Sequence, residues 1–413
     1  MILLKNVYLN GKEQDVLIEQ NKISKIAGKI EAGSAEVIHC KGKAILPAFC
    51  NMHTHAAMMF LRGIGEDLPL FDWLEKEVWP REDRLTDETV YYISKFAMLE
   101  MIKTGTTTFL DMYFHISSTI DALKEMGMRA VVTYVGMDMF DEKETQRRLN
   151  LAHSFLDTDY DGGLLFKGLS PHAVYTASET IFKEFKKMCR EQDLFLHTHV
   201  SETQKEVDDC LQKYGKRPVE LLDSWGILDE KTVLAHAVHL NEHEIELVKK
   251  SGAIVAHNPA SNLKLNSGLM PLQHFLDKGL KLTLGTDSVS SNNSLSMIDE
   301  MKIAALSAKR AANDSTAAKV QDVFDMATKN GFEALGLKAG QIKEGYLADF
   351  MLVDLNNFAL LPNVNLISNM VYAADSSCIT DVFCNGKCLM KNKYVPNEEQ
   401  IIADFKRACK ELL

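Results

Sequence analysis

The 413-residue chain has no Cys-x-x-Cys pair, no long unbroken apolar run and no stretch of clustered lysine and arginine. Each absence removes a class of protein. The eight cysteines (40, 50, 189, 210, 378, 384, 388 and 409) are scattered through a chain large enough to build its own core, so reduced, packed thiols are expected rather than a disulfide framework. Cys384 and Cys388 flank Asn385-Gly386-Lys387, and that Asn-Gly is a hairpin signal, not the spacing of a metal pair. Without an apolar run of about 20 residues, no membrane span is expected. A formal net charge of -11, with no basic stretch interleaved with aromatics, argues against nucleic acid and leaves a free small molecule as the expected partner. The amino terminus, Met1-Ile2-Leu3-Leu4-Lys5, has neither the charged start nor the apolar middle of a secretory signal, which makes the cytoplasm the expected address.

What is present is an ordinary globular composition, 46% apolar and 25% charged, in a chain long enough for one large barrel with an attachment. The most informative stretch is His53-Thr54-His55, which ends the apolar run Ala44-Ile45-Leu46-Pro47-Ala48-Phe49-Cys50-Asn51-Met52. Side chains two apart on a strand share a side, so both imidazoles would point the same way, as a pair of metal ligands does.

Residues 44–339 alternate short apolar strands with helical segments, the pattern of parallel βα units. Eight strands are expected, at 45–53, 107–112, 129–135, 164–169, 194–199, 232–236, 253–257 and 280–286. Helices are expected between them, for example at 86–104, 178–192 and 204–223. Eight such units predict a closed (β/α)8 TIM-type barrel. Residues 1–43 and 340–413 instead carry alternating strands and Asn-Gly turns, followed by a C-terminal helix. Neither end has enough strands to cover a core, so a small composite β-sandwich built from both termini is expected, with surface to offer for association between copies.

Barrel enzymes place their chemistry at the carboxyl ends of the strands. The reactive residues here fall there: His53 and His55 after the first strand, His172 after the fourth, His199 and Glu202 at the fifth, His236 at the sixth and Asp287 at the eighth. His53, His55, His199 and Asp287 would give three imidazoles and a carboxylate for one divalent ion, leaving a position for water. His197 shares the parity of His199 and is read as a packing residue or one that supports a ligand from behind. Glu202 is close enough to handle protons without being a ligand, and His236 to orient the water. Asp287 could serve both as ligand and as acceptor of the water proton.

Pro47–His55, Gly105-Thr106-Thr107-Thr108-Phe109-Leu110-Asp111-Met112-Tyr113, His257-Asn258-Pro259-Ala260-Ser261-Asn262-Leu263-Lys264-Leu265 and Gly285-Thr286-Asp287 together resemble the amidohydrolase superfamily. Within it the chain is similar to the branch of 5-methylthioadenosine/S-adenosylhomocysteine deaminases and the related triazine chlorohydrolases. The resemblance spans essentially the whole chain. It implies one zinc, or iron, on His53, His55, His199 and Asp287, with Glu202 and His236 as the proton-handling and water-orienting pair. It also implies substrate contacts: His172 to the purine, Trp73 and Glu82 closing over the nucleoside and gripping the ribose, and an arginine pair for the carboxylate of S-adenosylhomocysteine. Tyr134 stands where the first arginine belongs; Arg147 or Arg148 stands for the second, and Arg148 is the one assigned. Because tyrosine does not replace a guanidinium, selectivity is expected to shift toward 5-methylthioadenosine or adenosine.

The expected reaction is hydrolytic deamination of the adenine ring: water adds at C6, Glu202 gives a proton to N1, Asp287 takes one from the water, and ammonia leaves. Two other readings use the same fold: a guanine or other heterocycle deaminase, and a triazine-type chlorohydrolase. A non-catalytic scaffold is the remote alternative, and retention of every ligand residue weighs against it.

Overall fold

The structure is a computed structural model, and it describes residues 1–68, 70–158 and 163–413. The amino-terminal segment forms β1 (Ile2–Leu9), β2 (Lys12–Glu19), β3 (Lys22–Ala27), β4 (Glu36–His39) and β5 (Lys43–Pro47). Eight strands follow: β6 (Phe49–Thr54), β7 (Thr106–Tyr113), β8 (Arg129–Gly136), β9 (Leu165–Pro171), β10 (Phe195–Val200), β11 (Thr232–His236), β12 (Ile254–His257) and β13 (Lys281–Leu284). The chain ends with β14 (Phe350–Asp354), β15 (Ile379–Cys384), β16 (Lys387–Met390) and the helix Glu398–Leu412.

β6 to β13 form one sheet in chain order, every neighbour parallel. A parallel bridge between Thr54 and Asp287 brings its two edges together, so the sheet closes into the expected barrel. Every residue of β6, β7, β8 and β10 is buried, as it must be where side chains of one face fill the barrel and those of the other meet the surrounding helices. The helices are punctuated locally. Asn241 accepts from Glu244 N at the start of Glu242–Ser251, and Gly252 ends it at φ 73°, a left-handed turn that glycine makes without a Cβ clash, before β12 begins.

The two termini build a second, mixed sheet in the order β16-β15-β14-β5-β1-β2-β3, with β4 on β1. Its ends meet. The Asn21 Nδ2 of the β2–β3 turn donates to Asn385 Oδ1 of the β15–β16 turn (3.0 Å), and Ala348 N donates to Asn21 O (2.8 Å). Leu4, Val16, Ile23, Ile45, Phe350 and Phe383 therefore share one enclosed cluster.

The expected first barrel strand, 45–53, is two strands. Lys43–Pro47 pairs with β14, while Phe49 begins the barrel by donating to Gly105 O (2.9 Å), so one apolar run serves both sheets and changes allegiance at Ala48. The C-terminal helix lies on the barrel helix Asp87–Lys103, where Phe405 stacks on Phe96 at 4.0 Å.

Sheet and barrel are joined at the amino ends of the barrel strands by a buried ion pair. Arg129, the first residue of β8, grips both carboxylate oxygens of Asp349, with the Nη2 to Oδ2 distance at 3.2 Å, and also reaches Thr108 Oγ1 (3.2 Å). Both residues are about 1% exposed. Removing one partner of such a pair strands the other charge, so Asp349→Ala should lower unfolding free energy by about 3–5 kcal/mol, and Arg129→Met combined with Asp349→Leu should recover most of it. Chemical denaturation of the three variants checks this; a loss below about 1 kcal/mol for Asp349→Ala would remove the pair from the stability of the interface.

Candidate active site

The structure brings His53, His55, His172, His199, Glu202, His236 and Asp287 together at the carboxyl ends of the barrel strands. The geometry fixes the state of two imidazoles. His55 Nδ1 lies 2.7 Å from Met112 O and His199 Nδ1 lies 2.9 Å from His172 O. A carbonyl only accepts, so each Nδ1 carries a proton, and in the neutral ring the lone pair lies on Nε2. These two Nε2 atoms face each other at 3.4 Å. Asp287 Oδ1 lies 3.3 Å from His55 Nε2 and 3.4 Å from His53 Nε2, and the buried His53 Nε2 makes no well-formed hydrogen bond. Facing lone pairs beside a carboxylate repel one another unless a cation lies among them, so the donor set fits a divalent ion.

The electrostatics differ among the three imidazoles: burial would lower His55, but the Asp287 carboxylate beside it raises it above its ordinary value. Burial pulls His53 down to about 4, and His199 well below the usual imidazole range, which keeps both neutral. Burial would raise the Asp287 carboxyl, but the His53 and His55 imidazoles against it, with His236 beyond, outweigh burial and hold Asp287 well below its ordinary value. Asp287 Oδ2 also accepts from Ser261 Oγ (2.6 Å) and Ser291 Oγ (3.0 Å), and Oδ1 from Ser288 N (2.8 Å).

His236 stands between two carboxylates, its Nε2 3.8 Å from Glu202 Oε2 and 3.9 Å from Asp287 Oδ2. Its Nδ1 meets Asn262 Oδ1 at 2.8 Å, which turns Nε2 into the site. His53, His199 and His236 also form a geometrically acceptable ligand triad, so His236 lies at the edge of any ion's reach. Glu202 is raised above the carboxylate range chiefly by burial, with His236 opposing, and Ser267 Oγ donates to its Oε1 (3.1 Å). Ser201, His236 and Asp287 all have left-handed backbone, at φ 49°, 70° and 60°. Such conformations are sparse for residues with a side chain and collect where a strand end must aim one.

Trp73, Glu82 and His172 line the same cavity as His55, His199 and Glu202. Glu82 is half-buried, accepts from the Tyr113 hydroxyl at 2.6 Å, and is raised chiefly by desolvation. His172 is pulled down to about 3 by burial and donates or accepts at Thr176 Oγ1 (2.7 Å). Arg148 lies apart from these. It lines an adjoining cavity with Tyr134 and Arg147, separated from the first by a shared wall of Trp79, Glu82, Phe114 and Met137. Its Nε donates to Glu144 Oε1 (2.6 Å), and Arg147 binds the same carboxylate through two nitrogens.

Further residues support the site, and sequence reasoning passed over all of them but His197. His197 Nε2 lies 3.0 Å from His53 Nδ1 and buttresses that ring. Tyr113 and Tyr175 line the cavity. Glu206 is buried and accepts from Ser201 N and Glu202 N, both at 2.8 Å, so it fixes the peptide that carries Glu202. Only its place in the first turn of a helix after Glu202 marked it in sequence.

The amidohydrolase family model matches residues 44–389. The chain is 43% identical to a 5-methylthioadenosine/S-adenosylhomocysteine deaminase of Thermococcus onnurineus, over 95% of this chain and 94% of that one. It is 41% identical to a 5'-deoxyadenosine deaminase of Methanocaldococcus jannaschii, again over 95% and 94%. Among solved structures, an adenosine deaminase from Xanthomonas campestris with bound zinc superposes with a TM-score of 0.91 at 29% identity, covering 100% of this chain and 98% of that one.

Burial lifts the Glu206 carboxyl to about 7. A carboxyl raised in the folded state leaves the unfolded state with fewer protons between its unfolded value and about 7, so it costs stability as pH rises through that window. Glu206→Gln has no such group. Its stability relative to the wild type should therefore improve by up to about 3 kcal/mol between pH 4.5 and 7 and then level off. Urea midpoints at pH 4.5, 7 and 9 test the sign; a constant gap would mean that Glu206 titrates normally.

Proposed function

The chain belongs to the amidohydrolase family, and from that premise we propose that it is a metal-dependent hydrolytic deaminase of the adenine ring in a 5'-modified adenosine. The observation that carries this reading is the arrangement around His236, whose Nε2 lies 3.9 Å from Asp287, a carboxyl shifted down, and 3.8 Å from Glu202, one shifted up by burial. Two acids whose environments push them apart divide acid and base duties between them. The deaminase names of relatives above 40% identity supply the substrate class.

In this reading His53, His55, His199 and Asp287 hold one divalent ion, zinc or alternatively iron. When bound, the ion would lower the pKa of a water from about 16 toward 7. The remaining work belongs to the chain. Asp287, ionised and fixed by Ser261 and Ser291, accepts the proton that the attacking water gives up. Glu202, raised by burial, donates a proton to ring N1 as C6 becomes tetrahedral; Asp287 then passes the water's proton to the departing amine, the C6 hydroxyl returns a proton to Glu202, and the C–N bond breaks to release ammonia and the inosine analogue. His236, turned by Asn262, keeps Nε2 toward both carboxyls and orients the water. His172 meets the purine, Trp73 closes over it, and Glu82, held by Tyr113, takes the ribose hydroxyls.

The adjoining cavity bears on substrate choice. Tyr134 supplies no positive charge, and the guanidinium groups of Arg147 and Arg148 share Glu144, whose carboxyl Arg147 first of all pulls down to about 2. A substrate carboxylate would compete with Glu144 there. The reading thus favours 5-methylthioadenosine, 5'-deoxyadenosine or adenosine over S-adenosylhomocysteine. The partner is a free nucleoside, not nucleic acid or a membrane, and the setting is the cytoplasm; among the described residues no helix is long and apolar enough to cross a membrane.

Ammonia release across adenosine, 5'-deoxyadenosine, 5-methylthioadenosine, S-adenosylhomocysteine, guanine and a chlorotriazine, with metal analysis on the same sample, tests the whole reading. The uncharged 5'-substituents should give the highest kcat/KM, at least about tenfold above S-adenosylhomocysteine, the loss of one charge-assisted contact. Turnover of guanine or the triazine alone would replace the adenine ring as substrate. Glu202→Gln should keep the wild-type metal content while kcat falls by about 10²–10⁴. Retained activity would release Glu202 from its role.

A further inference from the structure

Seven of the barrel's eight strand neighbours are joined by backbone ladders. The eighth pair, β6 with β13, is not. The sheet order ends at these two strands, and they meet through one bridge, Thr54 with Asp287, and one main-chain hydrogen bond, Asp287 N to His53 O (2.9 Å). A side chain takes over the missing pairing. Asn51, fully buried in β6, accepts at Oδ1 from Thr286 N (3.1 Å) and His53 N (3.3 Å), and donates from Nδ2 to Thr286 Oγ1 (2.7 Å). Its carboxamide thus does for Thr286 what a neighbouring strand's peptide would do.

The approach at this point is tight. A Cβ on Gly285 would lie 2.8 Å from His53 N and 2.5 Å from Asn258 Oδ1, so glycine there lets the last strand's continuation reach the first strand at all. The ligand atoms straddle the same line: His53 and His55 on the β6 side, Asp287 on the other, 3.3–3.4 Å apart. An error in how the strands meet is therefore an error in ligand spacing, and no ladder exists to correct it.

We propose that Asn51 is a positioning residue for the metal site, registering the histidine pair against Asp287 across the barrel's one unladdered seam, and that the bound ion is the second fastener of that seam. The proposal rests on the metal reading given above and extends it to the barrel's closure. Residues that orient metal ligands commonly change affinity by about 10–100-fold when lost. Asn51 does so without touching a ligand ring, by holding two main-chain N–H groups that flank the ligands.

The test uses the full chain and zinc alone. Zinc affinity is measured by chelator competition on metal-stripped wild type, Asn51→Leu and Asn51→Asp, with hydrogen exchange of each in the stripped and zinc-loaded states. Asn51→Leu should bind zinc at least tenfold more weakly. Asn51→Asp keeps both acceptor positions, and Thr286 Oγ1 can turn to donate to it, so its affinity should stay within about threefold of wild type. Zinc should slow exchange in wild type at 49–54 and 284–288 more than at 129–136 and 165–171. If Asn51→Leu does not fold, Thr286→Val, which removes one of the three bonds, should still weaken zinc by several fold. Wild-type zinc affinity in Asn51→Leu or Thr286→Val, or zinc protection spread evenly over the barrel, overturns this proposal and leaves the metal reading standing. A wild-type chain that takes up no zinc overturns both.

Discussion

The site depends on a constraint placed on proton positions by the backbone. Met112 O and His172 O each take the Nδ1 proton of an imidazole, and in doing so force two Nε2 lone pairs to converge at 3.4 Å. Those carbonyls belong to, or directly follow, strands β7 and β9, neighbours of the strands that carry the two histidines. Parallel strands fix such offsets rigidly, which is why a barrel can hold an arrangement that would repel itself elsewhere. Everything else at the site accommodates it: the low Asp287, the buttressing His197, and the serines that steady the carboxylate.

The barrel separates stability from chemistry along its axis. Arg129 and Asp349 close the amino end with a buried pair that reaches no cavity residue. At the carboxyl end the buried acids Glu202 and Glu206 are raised by burial, beside strained backbone. Such groups cost folding energy where they stand, and that cost is tolerated where strand ends aim side chains into a cavity.

The strands and the clustering of the histidines were legible in sequence because both follow strict periodicities. Parity put His53 with His55 and His197 with His199, and burial on both faces made each barrel strand a short apolar run. Parity does not encode depth, however, and His197 shares its side with His199 while meeting His53 from behind. The break at Ala48 was invisible for a related reason, since a strand of either sheet reads as the same apolar run. The seam partner Asn51 and the clamp Glu206 act on main-chain groups of other segments, and nothing local in sequence marks such a bond. Arg148 was assigned from the family resemblance, whereas its side chain is held by Glu144 one helical turn before it.

The strand swap at Ala48 also orders events in time. β5 finds its barrel-side neighbour only in β14, some 300 residues later by chain position. As the protein emerges from the ribosome, its first strands must therefore wait through synthesis of the entire barrel with an apolar edge unpaired, the kind of edge that recruits wrong partners. Lys43 at the start of β5 gives that waiting edge a positive charge that discourages aggregation until β15 arrives with its partner, Asp381.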